Sequence, residues 1–531
     1  MAEADLLVRG GRVIDGAGNP ARRADVLVAA GRITEVGRFE GDVARDVIDA
    51  SGFVVSPGFI DMHSHSDIQI LVEPAHLAKV SQGITLEVLG QDGLSYAPVN
   101  DEVLRQLRHQ LRGWNGDPDG FAWNWRTVDD YLSRMDGAIA TNVAYLVPHG
   151  TVRAMVVGND DRLASPEEIA AMAKIVEESM AQGAVGLSAG LTYVPGMYAA
   201  DSELVELCRT VARLGGYYSP HHRDYGRGAL RAFRDCIEIG RQSGVPVHLT
   251  HAHLGYPENR GRAPELLAMI DEALREGIEV TLDSYPYLAG CSYLHALLPG
   301  WAQEGGVEAT LARVQDTKLR DRLRREIEGI GDDGHGVTPT DWETVVVSGV
   351  TRAQNRPYVG ASINDIATSE GRRPIDVFCQ ILVDDELGTT FLHHIGNEEN
   401  VRAIMQHPAH MGCTDGILVG DRPHPRAWGS FPRYLAVYVR ELGLLRLEDA
   451  IRKFTSLPAQ RLGFADRGLV RPGMAADLVV FDPDRVTDRA TYEEPRQPAV
   501  GLPHVIVNGI PVVRDGVRTS DQPGRALRRA A

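Results

Sequence analysis

Eight short apolar runs, each followed by a turn or a helical stretch, constrain this chain more than any other feature. They occupy residues 54–61, 84–89, 142–147, 184–188, 216–219, 245–250, 279–282 and 409–414. Runs of this length bounded by glycine and polar clusters read as strands. The stretches between them read as helices. Ser165, for example, supplies an N-cap, Pro166 a first-turn proline, and Glu167 and Glu168 early acids for a helix running to Met180. Repeated strand and helix make parallel βα units, and eight units predict an α/β chain built as a (β/α)8 TIM barrel. The runner-up is an open doubly wound sheet, but no Gly-x-Gly-x-x-Gly follows an early strand.

The two chain ends have a different texture. Short alternating runs broken by glycine, such as Asp15-Gly16-Ala17-Gly18 near the start and Asn508-Gly509 near the end, predict small antiparallel strands. The expected organisation is therefore a small β-sandwich domain from residues 1–55 and 455–531, and a barrel over 56–454. The span between the seventh and eighth runs is too long for one helical crossover, so an insertion is expected at about 285–352, as a cover over the site or, alternatively, an interface element. In the smaller excursion after the second run, Trp114, Trp123 and Trp125 are read as packing residues.

A chain of 531 residues exceeds one ordinary core. Its 72 acidic against 55 basic residues, net −17, disfavour nucleic acid and anionic membrane as partners and favour a small-molecule substrate. A basic leader and a long apolar segment are not evident, and five scattered cysteines form no Cys-x-x-Cys pair. The expected location is the cytoplasm, with reduced thiols.

On a barrel, chemistry sits where strands end. Reading those ends in order gives His63 and His65, Asp92, His149, His221 and His222, His251 and His253, Asp283, and Asp415. His63 and His65 are two residues apart on an extended chain, so both imidazoles face one side and can hold one ion. Asp61 and Asp67 flank them as candidates to orient metal-bound imidazoles. Nitrogen and carboxylate donors suit zinc or another first-row divalent metal, as one ion or two. His221 and His251 read as further ligands, while His222 and His253 stand as supporting or substrate-contacting residues. His149 either holds a loop or meets substrate. Asp415 can take a proton from an attacking water and deliver it to a leaving nitrogen.

These residues resemble the amidohydrolase superfamily, and most closely the D-aminoacylase (N-acyl-D-amino-acid deacylase) family. The matching pieces include PGFIDMHSHSD, KVSQGIT, GLSAGLTYVPGMYA, HHRD, DSYPYLAG and HPRAWGSFPRYL, and they run over nearly the whole chain. The resemblance implies His63, His65, His221 and His251 as metal ligands, Asp415 as general acid and base, and Arg223 and Tyr285 at the substrate. Three positions depart from the family. Its bridging cysteine is Asp92 here, the lysine two residues after the sixth-strand histidine is His253, and a serine after Tyr-Pro-Tyr is Cys291. Since none of the four lysines lies at a suitable strand end, Asp92 is the candidate bridge. The implied activity is metal-dependent cleavage of a C–N amide bond, with an N-acyl-D-amino acid or related N-acyl amine as substrate. The alternatives are a cyclic amide hydrolase like hydantoinases or dihydroorotases, and a non-catalytic scaffold of the same fold.

Overall fold

The structure, a computed structural model, describes residues 4–41, 43–333 and 336–529. Eight strands stand side by side in chain order: Phe59–Asp61, Ile84–Leu89, Asn142–Pro148, Gly186–Gly190, Tyr217–His221, Val247–Leu249, Val280–Ser284 and His410–Gly412. Every neighbouring pair is parallel. They fall on the eight predicted runs, in the order of a barrel rather than of a doubly wound sheet. Alternate side chains face inward, and Ile60, Met62, Leu86, Val88, Leu146, Tyr217 and Met411 meet in one buried cluster.

The first and eighth strands end the ladder without pairing to each other. Closure comes just past their C-terminal ends, where Asp415 N–H donates to His63 O at 2.8 Å and His65 N–H donates to Gly416 O at 3.2 Å. The barrel is thus sealed at the C-terminal ends of these two strands. Helices cover the outside, and Pro166–Ala181 begins as predicted, with Ser165 and Glu168 forming a reciprocal capping box.

Strands from both chain ends share one nine-stranded sheet. Its centre is Val54–Pro57, which pairs with Ala4–Val13 on one side and Leu478–Phe481 on the other, then runs directly into the first barrel strand. Leu6, Val26, Ile48, Val55, Leu478 and Ile506 belong to its common core. The sheet differs from the antiparallel expectation in one respect. Ala4–Val13 lies parallel to both Ala44–Asp49 and Val54–Pro57, which share its edge because it is long enough to accept them in succession.

Between the seventh and eighth barrel strands the chain builds a three-stranded antiparallel sheet, with Thr390–His394 between Ala289–Tyr293 and Val345–Gly349. Leu294, Leu297, Val345, Phe378 and Phe391 help to give this segment its own apolar core. Its inner residues Gly290, Cys291, Phe391 and His393 line a cavity over the barrel mouth.

Candidate metal centre

His63 and His65 leave the first strand on the same side, with their Nε2 atoms 3.3 Å apart. Asp92 follows the second strand in a left-handed backbone with φ 55°. The fourth strand ends on Gly190, where a Cβ would lie 2.0 Å from the Asp92 carbonyl oxygen, so glycine alone admits that approach. The Asp92 carboxylate is then the hub of the site. Oδ1 is 3.4 Å from Nε2 of both His63 and His251, and Oδ2 is 3.5 Å from His65 Nε2 and His221 Nδ1. Asp415 Oδ1 stands 3.1 Å from His65 and 3.6 Å from His63.

Two sets of donor atoms, from His63, His65 and Asp415 and from His63, Asp92 and His251, lie within 4.8 Å of one another. His251 and Asp415 also have positive φ, 29° and 48°. Three strained backbones, each costing roughly 1–3 kcal/mol, thus concentrate at one site.

Supporting bonds aim the imidazoles. Thr192 Oγ1 meets His221 Nε2 at 2.7 Å, and Asp283 Oδ1 accepts the His251 backbone N–H at 2.6 Å. Asp283 itself is held by His248 at 2.8 Å. Trp114 packs its ring 4.6 Å from that of His65, and with Trp125 it is buried, so these two serve packing as the sequence indicates. Asp61 is the exception to the expected orienting pair. Its carboxylate bonds Lys79 and Thr414 rather than an imidazole, because the buried ammonium is the stronger partner. Asp67 accepts from Gly90 N–H and Ser95 Oγ, and its charge also acts on His65.

The electrostatics hold both carboxylates of the cluster ionised. Burial opposes ionisation of Asp92, but the imidazoles of His63, His221 and His251 outweigh it and hold the carboxyl well below its usual range. Burial likewise presses His65 down, yet its bonds to Asp415 and Asp92 raise it to about 9. For His221 burial wins and the ring falls to about 4. The Asp415 carboxyl is also held low: burial opposes this, and Arg426 is the largest opposing charge.

Among the substrate candidates, His253, Tyr285 and Cys291 line the cavity together with Arg426. His253 packs with its ring tilted against Tyr285, centroids 4.2 Å apart, and is driven to about 3 by burial and by the charges of His251 and Arg426, so it is neutral. Burial lifts the Cys291 thiol to about 11, which keeps it protonated. Arg223 does not line the cavity; it bonds Met197 O, Ala199 O and Asp201 Oδ1. His222 points to the other side of its strand, between Tyr225 and Phe233. His149 neither holds a loop nor lines the cavity: it opens the helix His149–Val156 and ties it to Glu203 of the helix Asp201–Arg213 at 2.8 Å.

Arg426 escaped the strand-end reading, although HPRAWG carried it among the matching pieces. It opens the helix Arg426–Arg433 beyond the eighth strand. The side chain is buried, pairs with Asp415 at 2.9 Å and lies 4.4 Å over the Tyr285 ring. Tyr193, whose ring lies 4.5 Å from His221, was missed as well.

Known proteins share this architecture. The amidohydrolase family model matches residues 46–513. D-aminoacylase of Alcaligenes xylosoxydans xylosoxydans is 35% identical over 99% of this chain and 98% of its own. N-acyl-D-aspartate deacylase of the same organism is 34% identical over 99% and 95%. The crystal structure of N-acyl-D-glutamate deacylase from Bordetella bronchiseptica, complexed with zinc and a phosphonate mimic of the tetrahedral intermediate, superposes with a TM-score of 0.85 at 33% identity, covering 99% of this chain and 100% of that one. With a family match over most of its length and end-to-end relatives of this similarity, the chain belongs to the amidohydrolase family.

Proposed function

We propose that this chain hydrolyses the amide bond of an N-acyl-D-amino acid with an apolar side chain, releasing a carboxylic acid and a free amine. The observation that carries this reading is the junction of a nitrogen and oxygen donor cluster with a cavity that holds one permanent cation. The donor set fits a divalent ion, because Asp92 Oδ1 is buried without a hydrogen-bond partner while imidazole nitrogens converge on it. His63, His65, Asp92, His221 and His251 would hold zinc or a related ion, with Asp92 as the bridge if two are bound. Such an ion polarises the amide carbonyl and lowers the pKa of a water beside it.

The chain's own residues supply the rest. Asp415, kept ionised, takes the proton that the attacking water loses and returns it to the leaving nitrogen. Arg426 holds Asp415 with Nη1, and as a cavity-lining cation it would attract a substrate carboxylate. His253 and Tyr285 border the same space and offer hydrogen bonds without charge. Leu288, Phe391 and Ile395 give the cavity its apolar lining. Among the described residues around the cavity, Arg426 is the single permanent cation, so a second carboxylate, as on an aspartate or glutamate side chain, would enter unpaired.

A substrate panel tests the reading. Metal-loaded protein should turn over N-acetyl-D-leucine, D-methionine or D-phenylalanine with kcat/KM at least about tenfold above N-acetyl-D-glutamate, and above the L-enantiomers. Preference for hydantoin or dihydroorotate would move the chain to the cyclic amide hydrolases. Stoichiometric metal with no turnover of any substrate would leave the scaffold reading.

A further inference from the structure

Lys79 is fully buried beneath the loops that carry His63, His65 and Asp415, and the hydrolytic scheme gives it no part. It lies on the short helix Leu77–Val80, ahead of the second barrel strand. Each hydrogen of its ammonium has an acceptor: Nζ donates to Asp61 Oδ2 at 2.7 Å, Ser64 Oγ at 2.7 Å and Thr414 Oγ1 at 2.8 Å. These acceptors have particular positions. Asp61 ends the first strand, Ser64 separates the two histidines, and Thr414 precedes Asp415.

The acceptors are themselves locked. Asp61 Oδ1 accepts Thr414 N–H at 2.8 Å, and Asp61 Oδ2 accepts the Thr414 hydroxyl at 2.6 Å. The Ser64 hydroxyl donates to Glu87 Oε2 at 2.8 Å, and Glu87 Oε1 meets His76 at 2.6 Å. All this lies at the one place where the barrel ladder is open, between the first and eighth strands. Stability alone gives little reason to bury an ammonium there, since apolar replacements of buried ion pairs are often no less stable. Geometry gives a better one. Asp415 keeps a left-handed backbone that must be constrained by its surroundings.

We propose that Lys79 is a positioning residue for hydrolysis: it clamps the first-strand loop to the eighth-strand loop and sets the Asp415 carboxylate against the His63 and His65 pair. The inference rests on the hydrolytic reading above, but part of its test does not need turnover. Two variants are compared with wild type, Lys79→Met and the charge-balanced Lys79→Met/Asp61→Asn, which keeps the test open where the single variant misfolds. Each is loaded with cobalt(II) and measured by visible absorption, metal content and steady-state kinetics.

The expected result is metal content equal to wild type, altered cobalt absorption bands, kcat lowered at least tenfold and KM changed less than threefold. The proposal is overturned by a folded variant with wild-type cobalt bands and kcat within twofold. It is equally overturned when the loss of kcat is matched by loss of metal or of folded protein, or when it appears mainly in KM. Absence of turnover by wild type would sink the hydrolytic reading instead, while the cobalt spectra would still decide the clamp.

Discussion

Arg426 places Nη1 2.9 Å from one oxygen of Asp415, while the other oxygen of that carboxylate stands 3.1 Å from His65 Nε2. The proposed proton carrier is therefore gripped from both sides, by a permanent cation and by the metal-site imidazoles. Burial alone would push the carboxyl up; Arg426 is the largest of the charges that hold it down. Activity that needs the carboxylate is present above its pKa and lost as pH falls through it. Arg426→Met removes the main depressing charge, so the acid limb of the kcat/KM profile should move to higher pH by roughly 1–3 units. A limb that stays in place would show that another group governs it.

Asp415→Asn keeps the shape and removes the base. The expected loss is about 10²–10⁴ in kcat, the usual contribution of a positioned acid or base, with metal content and thermal stability close to wild type. Steady-state kinetics beside elemental analysis separates this from a lost ligand, because a ligand role would remove metal in proportion to activity.

Asp92→Cys restores the softer donor that the resembling family carries. Thiolate favours zinc and cadmium over manganese, and carboxylate narrows that gap. In competition between zinc and manganese at equal concentration, followed by mass spectrometry of the bound metal, the variant should prefer zinc at least about tenfold more than wild type does. An unchanged ratio would mean that Asp92 is not in contact with the ion.

Lys453 gives a stability prediction away from the site. Its ammonium is buried against His407 O and His410 O, and burial lowers its pKa from 10.5 to about 8. In the unfolded chain the lysine keeps its proton to higher pH. Between about pH 8 and 10.5 the unfolded state therefore binds more protons, and stability rises with pH across that window. Relative to Lys453→Met, wild type should gain up to about 3 kcal/mol on going from below to above it, measured by denaturant unfolding at several pH values. A flat difference would rule out the depressed pKa.

Much of the barrel was readable from residue order, because its strands are apolar runs with polar ends. Strand period two put His63 beside His65, and the same rule sends His222 away from His221 and onto Phe233. Arg426 and Lys79 were not found in this way. Both are buried cations on helices, and nothing local in sequence distinguishes them from surface arginine or lysine. Only the folded chain brings Lys79 to Thr414, 335 residues away. Arg223 shows the converse. Its place beside the strand-five histidine looked functional, yet the loop at 197–201 captures its guanidinium. The inserted sheet was equally hidden, since Ala289–Tyr293 pairs with Thr390–His394 across the intervening helices.

That inserted sheet has a consequence for how the protein can change. The proposed metal-ligating side chains stand on the barrel, whereas Cys291, Phe391 and His393 reach the cavity from the separate antiparallel sheet with its own core. Part of the cavity wall therefore stands on a scaffold separate from the proposed metal-site residues, facing the same space as Arg426, His253 and Tyr285. Replacing Phe391 should change which acyl group or side chain is admitted while the barrel-borne residues stay in place, a division that would let specificity drift without loss of the proposed chemistry.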